Sequence, residues 1–267
     1  MKFKMLRIYT VLCVRHGNEL ISKYCFIVAT LICITFISSC TKDPLCNCLK
    51  STGSTVTETR SLAFFNQLEV GKNVELLIVQ DSVYFAKVTC GKNLMDGIEI
   101  TIVNNKLNIT NNNRCNWTRS YANDFVVELH CPDLVDIRYS SSGNLTMLNH
   151  FKTDSLYLES GLGTGSVILD LDVRVLYAVL NTSVADLTIK GKVEVSYLFA
   201  NAQGFIEARE VQNYYTYMRS NSTNDCRIKC SGHLDAEIEG QGDIYYYGNP
   251  PDVYLKKTGT GSLIKGD

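Results

Sequence analysis

The sequence has few of the residues that usually carry catalysis. Histidine occurs four times and tryptophan once in 267 residues, and proline four times, two of them in the adjacent pair Pro250-Pro251. No GxSxG, HExxH or Walker loop occurs, so nucleophile-elbow hydrolases, zinc proteases and P-loop enzymes lack their defining residues here. Charge is sparse: 20% of residues are charged and the formal net charge is −1, which excludes a strongly basic nucleic-acid binder. An apolar share of 45% argues against wholesale disorder. No stretch carries a helical hydrophobic period with caps.

The longest charge-free apolar run, residues 24–37, is too short for a comfortable membrane span and follows Lys23, as in a signal peptide. It ends in Ile37-Ser38-Ser39-Cys40, which resembles a bacterial lipobox: a branched apolar residue, two small residues and the cysteine that takes the lipid. Residues 1–39 are therefore expected to be a lipoprotein signal peptide with an unusual leading extension. Residues 40–60, rich in hydroxyls, are expected to be a lipidated flexible tether, with structure beginning near Leu62. Removing 1–39 takes away five basic residues and one acid, which leaves 21 basic against 26 acidic, a net of −5. A mildly acidic body gains little from anionic lipid, so membrane attachment falls to the acyl anchor at Cys40. The expected location is the bacterial envelope, most simply the outer membrane.

Beyond Cys40 stand Cys46, Cys48, Cys90, Cys115, Cys131, Cys226 and Cys230. Export to an oxidising compartment leads us to expect disulfides among them, with at least one thiol left over. Cys46-x-Cys48 and Cys226-x3-Cys230 lack zinc-site spacing, so no metal is expected.

From residue 61 the pattern is all-β. Stretches such as VELLIVQ, IEITIV and FVVELH alternate with period two between Asn, Asp and Gly breakers. Residues 61–139 read as a hairpin-rich N-terminal β region, with a tight turn at Val103-Asn104-Asn105-Lys106. Residues 140–267 repeat. Turns at Gly143, Gly165, Ala185, Gly204, Asn224, Gly242 and Gly261 are spaced by 22, 20, 19, 20, 18 and 19 residues. Two and four positions after each turn, thirteen of fourteen residues are apolar. A period near twenty fits a β-solenoid coil of two short strands and two bends. Leu187 and Ile228 should then point inward, and Thr188 and Arg227 outward. Glycine or asparagine at the turn is expected to supply a positive φ, and the Asn, Ser or Asp after it to form a capping ladder.

The turns SSSGNL, GTGSV, NDCRI, GQGDIYYYGNP and TGTGSL resemble those of the auto-transporter adhesin head GIN domain family. So do the opening segments GSTVTETRSLAFFNQLEVGKNVELLIVQ and NLMDGIEITIVNNKLNIT. The resemblance covers about 53–267 and degrades at Val184-Ala185-Asp186 and Gln203-Gly204-Phe205. It implies one continuous domain over 61–267 with a right-handed parallel β-helix fold, on an exported, often lipid-anchored protein. It implies no established enzymatic activity.

Phosphate binding at the glycine-rich turns is not expected, because no helix follows them. The sharpest chemical candidates are the turn acids Asp225 and Asp243 on adjacent coils, with Asp186 two coils earlier, whose carboxylates could act on sugars. Capping is the simpler role for them. The run Tyr245-Tyr246-Tyr247, with Tyr214, Tyr215 and Tyr217, could form a sugar-stacking strip, although strand alternation assigns half of these tyrosines to the core. The leading expectation is a non-enzymatic, lipid-anchored protein presenting a solenoid for adhesion or ligand binding. Its ligand, a glycan or a protein, is left open, as is its oligomeric state, and no cofactor is expected. The alternatives are a polysaccharide lyase or glycosidase on a β-helix scaffold, or a purely structural envelope protein.

Overall fold

The structure is a computed structural model that describes residues 51–114, 125–182, 184–201 and 203–267. The C-terminal half is a β-solenoid of about six turns with roughly 20-residue spacing. Its strands are β8 (Asp136–Ser141), β9 (Leu145–Met147), β10 (Phe151–Ser160), β11 (Val167–Leu180), β12 (Leu187–Ala200), β13 (Ile206–Ser220), β14 (Cys226–Lys229), β15 (His233–Ile238), β16 (Ile244–Tyr247), β17 (Asp252–Lys257) and β18 (Leu263–Lys265).

All of these pair in parallel. A first wall stacks β9, the starts of β11, β12 and β13, then β14, β16 and β18. A second wall stacks β8, β10, the ends of β11, β12 and β13, then β15 and β17. Between the walls, residues 151–153, 171–173, 191–193 and 211–213 form a narrow corner strip, because the long strands bend from one wall into the other.

The core lies between the walls. Val167, Leu187 and Ile206 share one register line and are fully buried, as are Ile228 and Ile244. Thr188 and Arg227, one residue along, are half-buried on the outer surface. Each fully buried aliphatic side chain contributes about 1.5–3 kcal/mol, so the repeated inward rows carry most of the stability.

The turn glycines work differently from the expectation. Among the described residues, positive φ occurs at Gly53, Gly191, Gly248, Lys72, Asn104 and Asn105, and at none of the repeat turns. The reason for glycine there is contact: a Cβ at Gly165 would collide with the Gly143 carbonyl, and one at Gly261 with the Gly242 carbonyl. At these glycine turns the coils stack too closely for a side chain. Asn104 and Asn105 do take positive φ and close the β5–β6 hairpin, β5 being Ile98–Val103 and β6 Lys106–Asn111.

The parallel stack extends further toward the N-terminus than the repeat does. β2 (Gln67–Lys72) and β3 (Glu75–Gln80) form a coil that pairs with β8 and β9 on one side. On the other side it pairs with β6 and with β7 (Val126–Cys131). Coil order therefore departs from chain order: the β2–β3 coil is inserted between one wall pair formed by β6 and β7 and the next formed by β8 and β9. Antiparallel strands close this end. β4 (Phe85–Gly91) joins β7, β1 (Thr55–Ser61) joins β4, and β5 joins β6.

Two expectations are corrected. Residues 55–60 of the expected tether belong to strand β1, because alternating β-branched residues there pair along the whole of β4. Cys90, Cys131, Cys226 and Cys230 are buried free thiols. Cys226 and Cys230 lie four residues apart in an extended segment, about 13 Å, too far for a disulfide. Burial pushes the Cys131 thiol up to about 12 and Cys226 to about 11, so these sulfurs behave as apolar filling. Cys40, Cys46, Cys48 and Cys115 lie outside the described residues.

Candidate binding surface

Side chains alternate along each strand, and burial alternates with them, so every second residue of the second wall points outward. The twenty-residue register then places like above like. Tyr157, Tyr177, Tyr197 and Tyr217 occupy one line across four strands. Tyr177 and Tyr197 stack with ring centroids 4.4 Å apart, and Tyr197 lies 6.3 Å from Tyr217. Phe199 packs beside Tyr217 at 5.6 Å, and Tyr215 stacks on His233 at 5.4 Å. At the near end the Arg138 guanidinium sits 4.6 Å over the Tyr157 ring. The result is an outward aromatic band whose rings touch from Tyr177 to His233, with Tyr157 in line at its near end.

Carboxylates hem this band and fix its hydroxyls. Tyr215 donates to Asp235 (2.7 Å), Tyr217 to Glu237 (2.8 Å) and Tyr157 to Glu159 (3.2 Å). Burial, then the neighbouring carboxylate, pushes the Tyr215 and Tyr217 phenols well above their ordinary value. The carboxylates are themselves neutralised: Glu159 by Arg138, Glu237 by Lys256, and Glu239 by Arg219 at 2.8 Å.

A shallow hollow of about 290 Å³ opens beside Tyr157, lined by Glu69, Lys106, Arg138, Ser140, Glu159 and Gly161. Lys106 pairs with Glu69 at 3.2 Å, while Glu159 also accepts from Asn181 at 2.6 Å. The corner strip, with the residues that flank it, is a second surface of opposite character. Lys152 lies 3.8 Å from Asp172, Arg174 2.8 Å from Asp154, and Lys190 3.3 Å from Glu210, each pair linking neighbouring coils.

The sequence-derived candidates fall elsewhere. Asp225 Oδ1 accepts the Asp243 N–H (3.0 Å), and Asp243 Oδ1 accepts the Ser262 N–H (2.7 Å). Asn144 does the same for Ser166 at 3.0 Å. These side chains form a capping ladder at the turns. Asp186 is exposed, and its carbonyl accepts from Val167 (2.8 Å). Tyr245 and Tyr247 lie on the first wall beside Arg227 and Arg209, each ring 5.6 Å from its guanidinium. Tyr215 and Tyr217 are on the second wall, and Tyr214 is exposed with its ring against Gly232. Tyr246 packs against the core. The six tyrosines therefore do not form one strip, and Tyr215 and Tyr217 face outward, away from the core.

The sequence reading missed Tyr157, Tyr177, Tyr197 and Phe199. Their signal was present, since the four tyrosines stand twenty residues apart.

The sequence matches the family described as "Putative auto-transporter adhesin, head GIN domain" over residues 64–250. This chain belongs to that family. Solved structures similar to this head GIN domain include a putative adhesin from Bacteroides fragilis, at 21% identity and TM-score 0.74, covering 80% of this chain and 97% of that one. A putative adhesin from Parabacteroides merdae has 18% identity and TM-score 0.63, covering 82% and 99%. A protein from Parabacteroides distasonis titled a putative lipid binding protein has 20% identity and TM-score 0.62, covering 81% and 98%. At these identities the likeness is one of fold. Among curated proteins, none matches. Among the described residues of this head GIN domain, no helix is long and apolar enough to cross a membrane, and no group of His, Cys, Asp or Glu side chains is arranged to hold a metal.

Proposed function

We propose that this chain is a lipid-anchored envelope protein that uses the solenoid as a rigid binding surface, with the aromatic band of the second wall as its contact face and no catalysis. The observation that carries this reading is the outward line Tyr157, Tyr177, Tyr197 and Tyr217 with Phe199 beside it. Aromatic side chains held by stacking bind at low entropic cost, and an open band suits an extended ligand such as a glycan chain. The test is a glycan array with the wild-type chain and a Tyr177→Ala/Tyr197→Ala variant. The wild type should bind a set of glycans, and the variant should lose at least tenfold in affinity. Binding that survives in the variant would remove the band from the reading.

The anchor has its own test. Cys40→Ser should abolish fatty-acid labelling and membrane fractionation; labelling that persists would sink the lipoprotein assignment. Glycoside cleavage is the second reading, favoured by the two carboxylates and two cations of the hollow beside Tyr157. Against it, Glu69 is tied to Lys106, and Glu159 to Arg138, Tyr157 and Asn181. Neither resembles a carboxylic acid kept ready to donate a proton. Reducing-sugar release that falls by orders of magnitude in Glu159→Gln would promote this reading.

A further inference from the structure

The far end of the solenoid carries a strand whose sequence is complementary to itself. β17 is exposed along its whole length, with Val253, Tyr254 and Leu255 at 43%, 64% and 42%. Among the described residues it is hydrogen-bonded to β15 alone. Its other edge is a row of backbone groups without a strand partner, which soluble proteins normally cover or blunt.

The alternation of backbone groups along the strand fixes which residues face that edge. Thr258, just past β17, donates its N–H to the Ile238 carbonyl at 2.9 Å. Residues of the same parity, Asp252, Tyr254 and Lys256, therefore turn toward β15, and Val253 and Leu255 turn toward the open edge. An antiparallel copy of this strand centred on Tyr254 sets Val253 opposite Leu255 of the second molecule, the arrangement in which both residues exchange backbone hydrogen bonds. The same register sets Asp252 opposite Lys256 of the other copy, and Tyr254 opposite Tyr254. Acid then meets base, aliphatic meets aliphatic, and the inward side chains Val253 and Leu255 continue the core rows of Leu234 and Ala236 across the junction.

We infer that the C-terminal end is a self-association surface on which two copies join end to end through antiparallel β17 strands about a two-fold axis. The occupant is a second copy of this chain because the self-reversed register sets each Asp252 against a Lys256 that already holds Glu237 on β15 of its own chain, so that one cation is shared by two acids across the junction. The inference does not depend on what the aromatic band binds. Pro251, which has no N–H, limits the ladder at one end. The junction is short, so association is expected to be weak in solution and stronger where chains are concentrated on a membrane.

Cross-linking tests it on the full chain. Residues facing each other in a non-hydrogen-bonded antiparallel pair have Cα atoms about 4.5 Å apart, within disulfide range. Tyr254→Cys should give a disulfide-linked dimer under mild oxidation, well above the wild-type background. Asp252→Cys should not, because its own counterpart in the second copy lies far along the strand. Leu255→Pro removes only an N–H directed at the open edge, so it should fold with a near-wild-type melting temperature. Combined with Tyr254→Cys, it should cut the dimer at least tenfold. Equal cross-linking of Asp252→Cys and Tyr254→Cys, no dimer from Tyr254→Cys, or a dimer undiminished by Leu255→Pro would each overturn the inference. If Leu255→Pro fails to fold, the contrast between the two cysteine variants still decides.

Discussion

The second wall and the corner strip lie side by side on the same coils and obey the same spacing, yet they hold those coils in register by different physics. On the wall, rings stack along the solenoid axis and their hydroxyls are tied to carboxylates. On the strip, positive and negative side chains alternate from coil to coil in water. A one-coil slip would stack Tyr on Tyr again on the wall, whereas on the strip it would set Asp154 beside Glu194 and Lys152 beside Lys192. The aromatic line therefore supplies cohesion and the charged line supplies discrimination. Exposed ion pairs are worth little as attraction, but like charges brought together are penalised.

The largest expected effect sets the scale for both surfaces. Leu187→Asp would bury an unpaired charge between Val167 and Ile206 and should cost at least about 3 kcal/mol in chemical denaturation. Thr188, one residue along, points outward between Ile168 and Glu207. Thr188→Lys should stay within about 1 kcal/mol, whereas Thr188→Asp would meet Glu207 and do somewhat worse. Equal losses at 187 and 188 would show that the walls are out of register.

On the wall, Tyr197→Ala removes a ring in contact with Tyr177, Tyr215 and Tyr217, and a loss of about 2 kcal/mol is expected. Tyr197→Phe should be close to neutral if stacking, and not the hydroxyl, is what matters. A large loss in the Phe variant would break the contrast between stacking and charge.

Titration separates the two surfaces further. Hydrogen bonds to Lys256 and Tyr217 hold the Glu237 carboxyl below its ordinary range, and one to Arg174 does so for Asp154. Groups with lowered values stabilise above the unfolded carboxylate pKa, and the contribution is lost as pH falls through the folded value. Melting temperature should therefore decline below about pH 4. The tyrosines have raised values, Tyr139 reaching about 12 through burial, so their contribution is complete below the unfolded value and is lost as pH rises past it. The buried thiols of Cys90, Cys131 and Cys226 are raised in the same way, so stability should begin to fall above about pH 8.5 and fall further above about pH 10, where the loss should run with phenolate absorbance. A loss confined to the thiol range, with none accompanying phenolate formation, would contradict the packing of the wall.

The smallest effect belongs to the strip. Arg174→Ala removes one exposed pair and should cost no more than about 0.5 kcal/mol, an effect erased by 1 M salt. A cost as large as that of Tyr197→Ala would reverse the comparison.

Much of this was legible in the sequence, and the limit can be located. The inward rows at Leu187 and Ile228 were readable because burial acts on every coil alike and leaves a periodic apolar trace. The outward lines obey the same period, as Tyr157, Tyr177, Tyr197 and Tyr217 do, but outward positions tolerate any polar or aromatic residue. Their pattern emerges only once the register is fixed. The turn glycines were recognised by position and misread in cause, since a sequence does not tell a positive φ from a close backbone approach. The placement of 67–80 between two later coils left no trace, because stacking order between coils is a long-range pairing choice that no local period encodes.

That inserted coil also has a mechanical consequence. A load entering from the N-terminal side first meets β1 and β4, antiparallel strands at the end of the stack, and then the coil 67–80. That coil is clamped on both sides, by β6 and β7 below and by β8 and β9 above. It cannot be unwound one ladder at a time, as the final coil β17–β18 can, because both of its ladders must yield together. Force applied between residues 51 and 80 should record one high rupture peak, because both ladders of the inserted coil must yield. Force applied between residues 220 and 267 should give a series of lower peaks, one for each coil peeled from the end. The solenoid is built as a spool with a latch at one end.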